Sequence, residues 1–157
     1  MSNNLWLKIT TDHGLKGKNM TTNPLKLKGI EFTEYASQES EHMHRVFLDL
    51  GFSLLKKWST KEVYYYKQND IHILLNKEQS GFAADFSKIH GPSIPSMGWR
   101  VEDAQFAFNE ALKRCAQPAE KKDYPYPAIM GIGGSLIYFI DCFQQKKNIY
   151  DQDFVAV

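Results

Sequence analysis

Five histidines, two cysteines and a scatter of carboxylates are the side chains of this 157-residue chain that could hold a metal or move a proton. A non-haem metal centre needs several such groups converging on one face. The spacing here works against convergence. His42 and His44 stand two apart in what reads as a helix, so they do not face one another. His13 lies in a polar N-terminal stretch, and His90 sits in a His-Gly-Pro loop. His72 alternates with Ile71 and Ile73 on a strand, which places it on the solvent side. There is no HxH on a strand and no HxxxH on a helix. All five are expected to be ordinary surface or loop side chains, and no metal ligand is assigned. Cys115 and Cys142 form no CxxC and read as two reduced thiols.

Other chemistries fit no better. Glu31 and Glu34 stand three apart on one strand, hence on opposite faces, and are not an acid–base pair. Glu34 reads as an edge or solvent residue. Tyr64, Tyr65 and Tyr66 could stack an aromatic ligand, but alternating faces point to ordinary packing. Gly131-Ile132-Gly133-Gly134 falls between strands, not before a helix, so it reads as a turn needing positive φ and not as a phosphate cradle. Ser135 lacks a GxSxG elbow. Lys121-Lys122 and Lys146-Lys147 read as solvated pairs. No catalytic or cofactor-binding residue is assigned.

The elements that would position these residues form a repeating pattern. Gly29 to Ala36 alternates apolar and polar, a strand with one buried face. Ser37 offers an N-cap. Met43, Val46, Phe47 and Leu50 follow at helical spacing, and Gly51 ends the helix. Phe52–Trp58, Val63–Lys67 and Ile71–Asn76 read as three strands. Phe82, Ala83, Phe86 and Ile89 suggest a short helix, broken at His90-Gly91-Pro92. The pattern then returns about 65 residues on. Ser96–Val101 is a strand, and Asp103 caps a helix through Ala104, Ala107, Phe108, Ala111 and Cys115, closed by Pro118. Ala119–Lys122, Ala128–Ile132 and Ser135–Asp141 supply up to three strands, with Gly133-Gly134 as a hairpin turn. The expected fold class is therefore α+β. Two βαβββ modules, about 27–77 and 95–142, share one curved mixed sheet around a common cavity. A C-terminal extension covers 143–157. Residues 1–22 read as a flexible leader.

Composition bounds the rest. Nineteen Lys+Arg against eighteen Asp+Glu give +1, which provides no whole-chain hold on nucleic acid or an anionic membrane. No apolar run reaches the roughly 18 residues of a membrane helix, and none suits a secretory signal. The expected location is the cytoplasm. Aromatics are in excess, with 10 Phe, 8 Tyr and 3 Trp, which suits a β-rich fold.

Paired βαβββ modules are the design of the vicinal-oxygen-chelate superfamily of glyoxalases and dioxygenases. Four segments are more specific. Asn23-Pro24-Leu25 with Gly29 to Ser37 resembles the opening of bacterial 4-hydroxyphenylpyruvate dioxygenases. So do His90-Gly91-Pro92-Ser93 with Met97 to Ala104, Pro127-Ala128-Ile129 with Gly131 to Asp141, and Ile149 to Phe154. The resemblance covers residues 23–157 and is to the family's non-catalytic N-terminal domain. It implies tyrosine breakdown, 4-hydroxyphenylpyruvate to homogentisate, with Fe(II) held by two histidines and a carboxylate in a C-terminal domain. This chain is expected to stop near the linker to that domain, so no cofactor is expected here. Aligned strand by strand, the positions equivalent to the iron ligands fall near Ile30, Ser96 and Phe139, and none of these binds Fe(II) well. Expected partners are a second copy of the chain or a separately encoded catalytic domain. The alternative reading is a stand-alone, metal-free small-molecule binder of the same fold.

Overall fold

The computed structural model describes residues 23–143 and 148–157. The expected leader over 1–22 and the pair Lys146-Lys147 lie outside the described residues. In chain order the elements are β1 (Leu27–Ala36), α1 (Ser40–Asp49), β2 (Ser53–Trp58), β3 (Val63–Gln68), β4 (Ile71–Asn76), α2 (Phe82–His90), β5 (Ser93–Val101), α3 (Ala104–Lys113), β6 (Ala128–Met130), β7 (Leu136–Ile140), α4 (Ile149–Gln152) and β8 (Phe154–Ala156). The strands form a single eight-stranded mixed sheet in the order β6-β7-β5-β1-β4-β3-β2-β8. Within each half the first strand pairs in parallel with the last, β1 with β4 and β5 with β7. β1 and β5 join the halves as antiparallel neighbours at the centre.

The module helices α1 and α3 cover one face. Phe47 of α1 packs on Tyr66, Ile73 and Leu75. Ala104, Ala107 and Ala111 of α3 pack on Val101, Ile129 and Phe139, and their small side chains bring that helix close to the sheet. The opposite, concave face carries Phe32, Tyr65, Leu74, Leu136, Tyr138 and Ile140. A loop, the first residue of α2 and the C-terminal segment with its short α4 cover it. Tyr124 enters from the 117–127 loop, and Ile149, Tyr150 and Phe154 from the C-terminal segment.

Both module helices end alike. At α1, Phe52 N–H donates to Phe47 C=O and Gly51 N–H to Leu48 C=O, with Gly51 at φ +87°. At α3, Ala116 N–H donates to Ala111 C=O and Cys115 N–H to Leu112 C=O. Here a cysteine holds φ +68°, where glycine carries no steric cost. The helix thus ends at Lys113, with Cys115 in the turn that follows it. Asp103 caps its start through Phe106 N–H.

Two expectations are corrected. Ser37 does not cap α1, because the helix starts at Ser40; its hydroxyl accepts from Glu39 N–H in the preceding turn. Ala119–Lys122 is not a strand. Only a bridge between Pro118 and Ile129 forms beside it, flanked by Ala119 N–H donating to Ala128 C=O and Met130 N–H donating to Gln117 C=O. The second half is therefore βαββ plus that bridge. The last residues form β8, which pairs with β2 and extends the sheet at its far edge. No helix among the described residues is long and apolar enough to cross a membrane.

Candidate functional site

The site is built on β1. Its alternation puts Phe32, Glu34 and Ala36 on the buried parity. A bulge intervenes: Ile30 pairs with Trp99 and Phe32 with the next residue, Gly98, so Glu31 is an extra residue. The extra residue turns Glu31 to the cavity side as well. Both carboxylates therefore face the concave side, contrary to the expectation of opposite faces, and both are buried, at 3% and 1% exposure for Glu31 and Glu34. Gly98 is required opposite them, because a Cβ there would sit 2.5 Å from the Phe32 ring.

Glu34 is not a solvent residue. It lies in the cavity interior and accepts three hydrogen bonds. Asn76 Nδ2 donates at 2.9 Å and the Tyr124 hydroxyl donates to the same oxygen, Oε1. Ser96 Oγ donates to Oε2. Burial pushes the Glu34 carboxyl above the ordinary carboxylate range, against these three bonds that favour its charge. The Tyr124 ring stacks on Trp58 at 5.2 Å and meets the edges of Phe32 and Tyr138 at 6.0 and 5.3 Å. Lys61 Nζ lies 5.3 Å from the centre of the same ring. Burial, then the neighbouring Glu34, hold the Tyr124 phenol well above its usual range, so it is a neutral donor.

Glu31 sits at the open mouth. Arg100 Nε donates to its carboxylate at 2.5 Å, with the guanidinium partly exposed. Arg100 Nη2 approaches His72 Nε2 at 3.5 Å. His72 Nδ1 is 2.8 Å from the Tyr65 hydroxyl, and Tyr150 stacks on both rings, at 3.9 Å from Tyr65 and 5.0 Å from His72. His72 thus belongs to the cavity side, not to solvent; burial lowers its pKa and favours neutral imidazole. These groups line a polar cavity of about 500 Å³ with Lys28 and Lys67 among its walls.

The three positions equated with iron ligands are not brought together. Ser96 faces the cavity and donates to Glu34. Phe139 is buried under α3 on the opposite face, and Ile30 is 53% exposed beside Trp99 on that same side. The cavity-facing neighbours on those strands are Phe32, bulged Glu31 and Tyr138. Among the described residues no group of three or more His, Cys, Asp or Glu could hold a metal. The interior does not fit an iron centre. A phenol ring fills it, and the buried carboxylate already spends both oxygens on neutral donors.

Sequence reasoning missed Glu34, Tyr124 and Arg100. The signal for Glu34 was present in β1, where it shares the parity of Phe32 and Ala36. Nothing in the spacing of residues 117–127 marks Tyr124.

Comparison with known proteins agrees with this fold. The chain matches the family described as hydroxyphenylpyruvate dioxygenase, N-terminal, over residues 21–155. It belongs to that family. The chain is 62% identical over 137 residues to Protein MelA of Shewanella colwelliana, covering 86% of this chain and 40% of that protein. It is 40% identical to the 4-hydroxyphenylpyruvate dioxygenase of Pseudomonas sp. (strain P.J. 874), covering 85% and 38% respectively. Among solved structures, a xylose isomerase-like TIM barrel/4-hydroxyphenylpyruvate dioxygenase fusion protein superposes with a TM-score of 0.75 at 32% identity. That match covers 83% of this chain and 21% of the other. The chain spans about two fifths of the length of these two curated relatives. The hydroxyphenylpyruvate dioxygenase N-terminal fold is thus a vicinal-oxygen-chelate domain, here with its cavity packed by aromatic side chains.

Proposed function

We propose that this chain is the non-catalytic N-terminal domain of a 4-hydroxyphenylpyruvate dioxygenase-like protein and is inert toward that substrate by itself. The carrying observation is the Tyr124 phenol seated on Glu34, with Phe32, Trp58 and Tyr138 around it. A reactive ferrous centre needs protein ligands and open positions for substrate and oxygen. This interior supplies neither. The full-length family reaction, 4-hydroxyphenylpyruvate to homogentisate in tyrosine catabolism with Fe(II), belongs in this reading to a second domain with its own ligand set. That domain, on the same or a separate chain, is the proposed partner, and a second copy of this chain is the other. Nucleic acid and membrane are not proposed partners. The proposed location is the cytoplasm.

The test is oxygen uptake by the verified 157-residue chain with Fe(II), ascorbate and 4-hydroxyphenylpyruvate. The expected rate equals that of the protein-free control. Homogentisate formation above that control overturns the proposal. The polar cavity, lined by Lys28, Lys67 and Arg100 together with Glu31 and Asp70, favours a second reading, a metal-free small-molecule binder. A thermal-shift screen with aromatic 2-oxo acids discriminates: specific stabilisation at micromolar concentration, lost in Lys67→Gln, supports it.

A further inference from the structure

Tyr124 occupies the interior in the manner of a bound ligand. Its ring lies between the Trp58 face and the edges of Phe32 and Tyr138, and its hydroxyl meets a buried acceptor. That acceptor is held from the other side by Ser96 and Asn76, which belong to β5 and β4. The walls and the polar base of this box therefore come from the sheet, and only the phenol comes from a loop.

The loop is tied to the sheet through side chains and not through a backbone ladder: Asp123 N–H donates to the Tyr138 hydroxyl at 3.1 Å, and Lys61 Nζ donates to Asp123 C=O. Among the described residues no backbone–backbone hydrogen bond involves residues 120–126. Polar side chains hold it instead. The Asp123 carboxylate accepts from Phe82 and Ala83 N–H at the start of α2, and Tyr126 donates to Asp153. Clefts lie on two sides of the segment. One of about 190 Å³ is lined by Lys61, Asn76 and Asp123, and so reaches a residue that hydrogen-bonds Glu34. The other, about 390 Å³, is lined by Gln117, Pro118, Glu120 and Lys121.

We propose that the concave interior is a receptor for a neutral phenol, with Glu34 as acceptor and Phe32, Trp58 and Tyr138 as walls, occupied in cis by Tyr124. The ligand class is a single aromatic ring bearing one un-ionised hydroxyl. Neutral phenols fit because a phenolate cannot donate to Glu34, and a ring without a hydroxyl leaves that buried carboxylate short of a partner. The inference is independent of catalytic inertness. Oxygen uptake by the wild-type chain would overturn the function proposed above and leave this one standing.

The test removes the occupant and returns its side chain as a free molecule. Tyr124→Ala is titrated with 4-methylphenol and with toluene, followed by thermal shift and by calorimetry. The expected result is binding of 4-methylphenol at least tenfold tighter than toluene in the variant, with partial return of Tm. The wild-type chain is expected to show no shift with either compound. Glu34→Leu combined with Tyr124→Ala, which removes the acceptor, is expected to lose most of the preference for the phenol. Equal binding of the two compounds overturns the proposal, since it describes an apolar hole without phenol recognition. So does equal binding of 4-methylphenol by wild type and variant. If the variant is unfolded alone, its refolding yield with and without 4-methylphenol decides: recovery by the phenol but not by toluene supports the proposal, and no recovery overturns it.

Discussion

Glu31 and Glu34 are both carboxylates, both buried, and both on the cavity side of β1, yet the protein treats them in opposite ways. Glu31 at the mouth is matched by a full opposite charge, the Arg100 guanidinium, in partial contact with solvent. Glu34 in the interior receives only neutral donors, Ser96, Asn76 and Tyr124. The difference follows from access to water. At the mouth an ion pair keeps part of its hydration, so its desolvation cost is moderate. In the interior a second charge would have to be fully dehydrated, and hydroxyl and amide groups satisfy the oxygens at lower cost. One strand therefore carries a charged, open site and a sealed site with neutral partners, about three residues apart.

The comparison can be broken at either end. The largest expected effect is at the sealed site. Tyr124→Ala removes the ring that fills the interior and one donor to Glu34, and should cost about 3–5 kcal/mol by the usual large-to-small scale. A urea-denaturation loss below about 1 kcal/mol would show that Tyr124 is not a packed occupant. Next is the open site. Arg100→Gln strands the Glu31 carboxylate and should cost about 3 kcal/mol, at the low end for a broken buried pair because the guanidinium is partly exposed. Adding Glu31→Gln should recover most of that loss, and a double variant no better than the single contradicts the pairing.

Smaller effects separate the two sites by pH. Glu34 has its folded pKa raised by burial. Its contribution to stability is full below the ordinary carboxylate pKa and is lost as pH rises through the higher folded value. The stability advantage of wild type over Glu34→Gln should therefore shrink between pH 4.5 and 8. A constant or growing advantage, measured by chemical denaturation across that range, would contradict this. His72 has the opposite sign. Its folded pKa is lowered by burial, so its contribution is present above about pH 6.5 and is lost as pH falls through the folded value. His72→Gln should be the smallest of these effects and should remove part of the acid-side loss.

Much of this was legible in the chain. The alternation of β1, the helical spacing from Met43 to Leu50 and the second strand–helix pair from Ser96 to Cys115 were enough for two modules and one mixed sheet. What could not be read depended on contacts distant in sequence. Glu34 looked like a solvent residue because a buried carboxylate is uncommon unless partnered, and its partners stand 42, 62 and 90 residues away. Glu31 changed sides through a bulge that no local residue pattern announces. That same half-turn of register separates Ile30 and Phe139, which face the helices, from the cavity-facing positions beside them. Tyr124 lies in a loop without periodicity, so its role emerges only once the sheet has curved around it.

The central claim is that this interior is filled by the chain's own phenol and offers no iron site. Anaerobic titration of the wild-type chain with Fe(II), followed by calorimetry, tests it most directly. No saturable binding is expected up to about 100 µM, a Kd of that size corresponding to roughly 5.5 kcal/mol. One equivalent of Fe(II) bound at low micromolar Kd, and lost in Glu34→Gln, would contradict it.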